Sequence, residues 1–291
     1  MITEESSQQL TPLPEEHGQP PAPVPSGAPA ATSARVSRWL PWFDVLKAIG
    51  LWVISLVVLV FIPVLALLPY IIYKVATVGA SVFTPEALRS DRWLIFYSVV
   101  GILPAHLLTF GFAWFIVTEG GRRPFWKAVG WDWPEGRSPT VVTIISVLTA
   151  LALYGIAWGV TTIYGGQKTD LDILIESSIY TRIATALVAV ITAPLIEEVI
   201  YRGVIYPAVE RVMGMGFAIA VVSLLFAGIH VYQYRTNISV IVVITLLSIT
   251  LTVARAITGK VLPSFIIHLV FNGIQSVLIV LSGFIDKDVI K

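Results

Sequence analysis

The sequence predicts an all-α fold: a polytopic transmembrane helical bundle of about seven spans (six to eight). Three observations carry this. The chain of 291 residues is 56% hydrophobic and only 13% charged, where a soluble domain is about 25% charged. Its mean hydropathy is +0.83, and uncharged apolar runs long enough to cross a hydrocarbon core of about 30 Å recur along it. Nine Trp residues gather mainly beside the charges that flank those runs, as interfacial belts do. The chain therefore reads as a multi-pass protein of the cell membrane, with the lipid bilayer as a standing partner. A net charge of +1 points to no partner class, and no basic run suits nucleic acid. The absence of cysteine excludes disulfides, thiolate metal sites and a cysteine nucleophile.

Residues 1–36 read as a disordered Pro-rich tail, with too little apolar surface to offset its ordering entropy. No apolar run there marks a signal peptide, and His17 reads as a solvated side chain. Residues 37–179 read as N-terminal transmembrane helices and surface loops. Arg35, Arg38 and Lys47 flank Trp39 and Trp42, an interfacial pattern ahead of a first span over Ala48–Tyr73, which Pro63 and Pro69 can kink or split. A second span covers Trp93–Val117. Its His106 reads as a neutral imidazole bonded to a neighbouring helix, in preference to a ligand or proton relay. The loop Glu119–Gly136, with Trp126, Trp131 and Trp133, is expected on the membrane surface. Thr140–Tyr164 is the third span, and the loop after it has enough Leu and Ile for a short interfacial helix.

Residues 180–285 hold four further spans: Ile183–Tyr206, Gly216–Tyr234, Ile238–Ala254 and Val261–Ile285. The sixth span is featureless apart from Ser and Thr. Residues 286–291 close the sequence as a tail. Loop cations favour an inner N-terminus slightly, with Arg182 among the outer set and Arg255 among the inner. No internal repeat is visible.

The fourth span carries Glu197, Glu198 and Arg202 after an uncharged run from Ile183 to Ile196. At about 1.5 Å per residue, Glu197 lies roughly 20 Å from Arg211, His230 roughly 20 Å from Gly216, and His268 roughly 12 Å from Lys260. All three fall in one middle slab of the bilayer. A charge there costs at least about 2.5 kcal/mol and by default marks function. Glu198 and Arg202 are four apart in the favourable order, while Glu197 projects about 100° away, free for chemistry. His268 and Asn272, also four apart, share a face. A carboxylate with two imidazoles suits activation of water. Either the imidazoles bind a metal such as zinc, or the carboxylate acts directly as base. Asn272 and one His are candidate donors to a developing oxyanion. No Ser stands in a nucleophile-like context. The set amounts to a hydrolase acting on an amide within the membrane.

Three motifs stand in order on separate spans: Glu197-Glu198-Val199-Ile200-Tyr201-Arg202, Phe226-Ala227-Gly228-Ile229-His230 and His268-Leu269-Val270-Phe271-Asn272. They resemble the Glu-Glu-x-x-x-Arg, Phe-x-x-x-His and His-x-x-x-Asn pattern of the CPBP intramembrane protease family. That family includes the CAAX prenyl endopeptidases, the bacteriocin-processing and self-immunity proteins and the group also called Abi. Pro194 and Gly203 also look like the family, and the resemblance covers roughly residues 180–285. It implies that Glu197 activates water, with His230 helping to hold it. His268 and Asn272 stabilise the oxyanion or complete a metal site, and Glu198 and Arg202 support the motif's shape. Zinc held by Glu197, His230 and His268 is one implied mechanism; a metal-independent glutamate base is the other.

The expectation is an intramembrane endopeptidase, a CAAX-type metalloendopeptidase or glutamate protease, acting on a membrane-embedded or lipidated protein or peptide. The alternative is a non-catalytic family member serving bacteriocin self-immunity or acting as a membrane scaffold. A transporter relay fits less well, because the polar residues cluster at one depth instead of tracing a path.

Overall fold

The computed structural model describes residues 40–165 and 167–285. The expected tails, 1–36 and 286–291, lie outside the described residues, as do His17, Arg35, Arg38 and Trp39. The described residues are helical, with no strand among them. Six helices are long and apolar enough to cross a membrane: α1 (Leu40–Val78), α2 (Arg92–Val117), α3 (Pro139–Tyr164), α4 (Ile179–Met213), α6 (Ile238–Thr258) and α7 (Leu262–Ile285). Between α4 and α6 lies α5 (Met215–Tyr234), whose apolar stretch Met215–Val231 is shorter. At 20 residues α5 is about 30 Å long, near the core thickness.

Helix α1 runs 39 residues, about 58 Å, so its ends project beyond the hydrocarbon. Pro63 and Pro69 lie inside it without splitting it. Gly101, whose amide still donates to Tyr97 O at 2.8 Å, interrupts the regular winding of α2 where that helix meets Pro63. A Cβ at Gly101 would sit 2.9 Å from the Pro63 Cα, so only glycine permits this approach. Asp91 caps α2 by accepting from the Trp93 and Leu94 amides at 3.1 Å. It also receives Tyr70 Oη at 2.9 Å and Lys74 Nζ at 2.9 Å, which pins the far end of α1.

The remaining boundaries follow local chemistry. Pro139 opens α3 at its first turn, and Gly165, at φ 58°, closes it. The expected interfacial helix is Asp170–Glu176, held by a capping box between Thr169 and Asp172. Ser178 caps α4, and Gly214, at φ 83°, ends it. Gly259 takes the left-handed conformation after α6.

Helix α4 is the centre of the bundle. Apolar residues of α1, α4 and α5 (Ala48, Ile205, Val222, Phe226) form one buried cluster. Residues of α3, α6 and α7 (Ala150, Leu247, Leu251, Phe271) form a second. A third joins Leu51 and Ala113 to Val199 of α4 through Phe125 and Val129 of the loop after α2. That loop was expected on the membrane surface. Of its short helix Phe125–Ala128, Trp126 is 45% exposed while Phe125 (7%), with Val129 just after the helix (1%), is buried against the bundle. Gly203 makes room, since a Cβ there would lie 3.0 Å from that of Val129.

Two cations counted as loop flanks are buried. Arg182 is 2% exposed and donates from Nε to Ile175 O at 3.0 Å and from Nη1 to Ser282 Oγ at 3.2 Å. A guanidinium that finds carbonyl and hydroxyl acceptors can enter the bundle. Helix α4 therefore begins before Arg182 instead of after it. Arg255 is 9% exposed for the same kind of reason.

Candidate active site

The acidic motif lies where α4 departs from α-helical winding. Val188–Thr192 and Glu198–Ile205 are π-helical, with α-helix only over Ala193–Glu197 between them. Wide turns inside helices are frequent at functional sites. Pro194 explains part of the first one. The Ala193 amide reaches five residues back to Val188 O, and the next amide in that register would serve Ala189 O. Residue 194 is a proline and has no N–H to give. Asn272 of α7 donates from Nδ2 to Ala189 O at 3.0 Å instead.

The second π stretch holds the Glu198–Arg202 pair. Both side chains are fully buried, and Arg202 Nη1 donates to Glu198 Oε1 at 3.0 Å, as their four-residue spacing predicts. The rest of the guanidinium is used as well. Nη2 donates to Ser248 O at 3.1 Å and Oγ at 3.0 Å, and Nε to Thr252 Oγ1 at 3.3 Å. The Phe226 ring lies 4.8 Å from its centre, in cation–π contact. Arg255 Nε donates to the Arg202 carbonyl at 3.0 Å. The sixth span is thus not featureless: Ser248, Thr252 and Arg255 cradle the motif arginine. Their spacing of four and three residues, one helix face, is the signal that sequence reasoning missed.

His268 of α7 joins the two glutamates. Its Nδ1 is 3.0 Å from Glu198 Oε1, and its Nε2 is 3.6 Å from Glu197 Oε2. Glu198 is ionised against Arg202 and can only accept, so Nδ1 carries the proton. Nε2 is then the ring nitrogen turned towards Glu197. Ser264 is the hydroxyl beside the Glu198 carboxylate; it donates to Val261 O at 2.8 Å, and Oε2 has no other partner among the described residues. Glu197 is 22% exposed at its side chain and has no cation paired to it among the described residues.

His230 of α5 is half-buried. Its Nδ1 donates to Phe226 O at 2.8 Å. Phe226 is the hub: its ring centroid lies 4.8 Å from His230, 6.0 Å from His268 and 5.2 Å from Tyr201. Tyr201 is held by Trp52 of α1, whose Nε1 donates to its hydroxyl at 2.9 Å. Neither Trp52 nor His106 belongs to the three motifs, yet both touch α4 beside the glutamates. His106 Nδ1 lies 2.8 Å from Thr192 Oγ1, the neighbouring-helix bond expected of it.

The two imidazoles have the tautomers of metal ligands, each giving its other N–H to a carboxylate or carbonyl. Their spacing is another matter. Among the described residues, no group of three or more His, Asp or Glu side chains is gathered to hold a metal ion. Cavities of about 430 Å³ around Tyr70, Lys74 and Trp93, and of about 440 Å³ around Lys47, Phe115 and Arg122, are lined by no motif residue.

The described residues thus form a multi-pass helical bundle in which Glu197, Glu198 and His268 meet beside α4. Residues 179–274 match the family model described as type II CAAX prenyl endopeptidase Rce1-like. The match holds all three motifs and supports the CPBP/CAAX protease family that they indicate. No curated protein and no solved structure gives a match.

Proposed function

We propose that the chain is an endopeptidase of the cell membrane that hydrolyses a peptide bond in a membrane-embedded or lipidated, CAAX-like protein or peptide. Glu197 is the base. The observation that carries this is His268, tied at Nδ1 to the buried Glu198 and facing Glu197 across 3.6 Å at Nε2. We read Nε2 as the lone-pair nitrogen; it and the carboxylate oxygen then both accept, and two acceptors 3.6 Å apart call for one donor shared from beside them. A water that donates to Glu197 and to an imidazole Nε2 meets that need.

The reaction follows from the same groups. Glu197 takes one water proton as the water oxygen bonds to the carbonyl carbon, and the carbonyl oxygen becomes an oxyanion. His230 helps to hold the water in place. Asn272 keeps one amide N–H after serving Ala189 O and is available to the oxyanion. Glu197 then returns the proton to the departing amine nitrogen as the C–N bond breaks. Glu198 and Arg202 fix the His268 ring and take no part in proton transfer.

The test is cleavage by the purified protein of a prenylated CAAX-type peptide and of its unprenylated twin. Wild type should cleave the prenylated peptide, Glu197→Gln should not, and purified active protein should carry no stoichiometric zinc. Turnover by Glu197→Gln would overturn the base assignment. Zinc lost together with activity in His230→Ala would replace the glutamate mechanism with a metal-assisted one.

A further inference from the structure

The π-helical turn Val188–Thr192 leads straight into Ala193–Glu197, so its geometry sets where Glu197 points. It is held from two sides. On one side Asn272 of α7 supplies the donor that Pro194 lacks, at Ala189 O. On the other, three residues later, Thr192 Oγ1 meets His106 of α2 at 2.8 Å. The Thr192 hydroxyl also reaches back to Val188 O at 3.4 Å. With its proton directed there, it accepts from His106 Nδ1–H.

His106 lies at the middle of its span. It is 14 residues from Arg92, about 21 Å, and 11 from Val117, about 16 Å. An imidazole at that depth is expensive beside the Leu and Phe residues of the same helix. Its ring is half-buried against α4, and Thr192 is the hydrogen-bond partner it has there. Helix α2 packs on both Val188–Thr192 and Ala193–Glu197. It lies wholly outside the segment that matches the protease family.

We infer that His106 is a positioning residue for Glu197: through Thr192 it braces the wide turn against the pull of Asn272, so that the carboxylate meets water and the scissile carbonyl in register. This rests on the proposed endopeptidase reading and adds a contribution from the N-terminal half of the chain. Misplacing a catalytic group by about 1 Å can lower a rate about 100-fold. Loss of the brace should therefore lower kcat by about 10- to 100-fold, with KM changed less than about 2-fold.

The experiment is steady-state kinetics on the cleaved peptide with His106→Ala, His106→Gln, Thr192→Val, Thr192→Ser and the double variant His106→Ala/Thr192→Val. Thr192→Val keeps the shape of the side chain and removes only the hydroxyl, so it folds if the wild type does. The expected result is a matched kcat loss in His106→Ala and Thr192→Val, and no further loss in the double variant. His106→Gln and Thr192→Ser, which keep a bond, should recover most of the rate. Wild-type kcat in Thr192→Val, or losses that multiply in the double variant, would overturn the brace. A wild type without peptidase activity would instead remove the reading on which it rests.

Discussion

Replacing Arg202 by Met tests the buried pair at the heart of the site. The guanidinium gives up Glu198 at 3.0 Å, Ser248 at 3.0 Å and 3.1 Å, and Thr252 at 3.3 Å. At 3.0 Å and an effective dielectric constant of about 20, the Coulomb attraction alone is about 5 kcal/mol. Removing one partner of a buried pair typically costs about 3–5 kcal/mol, because the other charge is stranded. For a chain of this size that is a fall in melting temperature of about 6–20 °C. The assay is thermal unfolding in detergent, followed by intrinsic Trp fluorescence because the chain has nine Trp and no Cys for a thiol dye. Glu198→Gln introduced into Arg202→Met should raise the midpoint again, since it neutralises the stranded carboxylate. The reasoning fails if Arg202→Met melts within about 2 °C of wild type, or if the second substitution lowers the midpoint further.

Gly203→Ala should cost about 1–3 kcal/mol by crowding Val129, whose Cβ would lie 3.0 Å away. In a thermal-melt cycle Val129→Ala should therefore cost less in Gly203→Ala than in wild type, and equal costs would contradict the contact. Asp91 concerns acid stability. Burial opposes its ionisation, but hydrogen bonds from Lys74, the Leu94 amide and Tyr70 hold its carboxyl below the usual carboxylate range. Its contribution is then complete above the unfolded value of about 3.9 and fades as pH falls through the lower folded value. Asp91→Asn should melt lower at pH 7 and lose less on acidification; parallel melting curves against pH would refute this. Glu197→Gln should melt close to wild type, because Glu197 is partly exposed and has no cation partner among the described residues, and a large fall would mark it as structural.

Hydropathy made the helices legible in the sequence, and three spaced motifs marked the candidate site. The Glu198–Arg202 pair could be read because four residues is one turn. What surrounds the pair could not be read that way. Ser248 and Thr252 look like ordinary membrane-helix residues until the arginine they face is known. Arg182 and Arg255 look like loop flanks, because their acceptors are backbone carbonyls on other elements, which sequence does not display. Pro194 was visible as a family-like residue, but its link to Asn272 depends on a five-residue hydrogen-bond register that hydrophobic periodicity does not encode. The loop's three tryptophans gave no sign that Val129 packs against α4, in the space that Gly203 leaves there.

The most direct test of the central claim compares new protein termini in membranes from cells carrying wild type or Glu197→Gln at equal abundance. The account predicts a set of termini that is present with wild type and vanishes with the substitution, which would establish the peptidase and name its substrate. Identical termini across growth conditions, with both proteins folded in the membrane, would contradict it and favour a non-catalytic role in immunity or scaffolding.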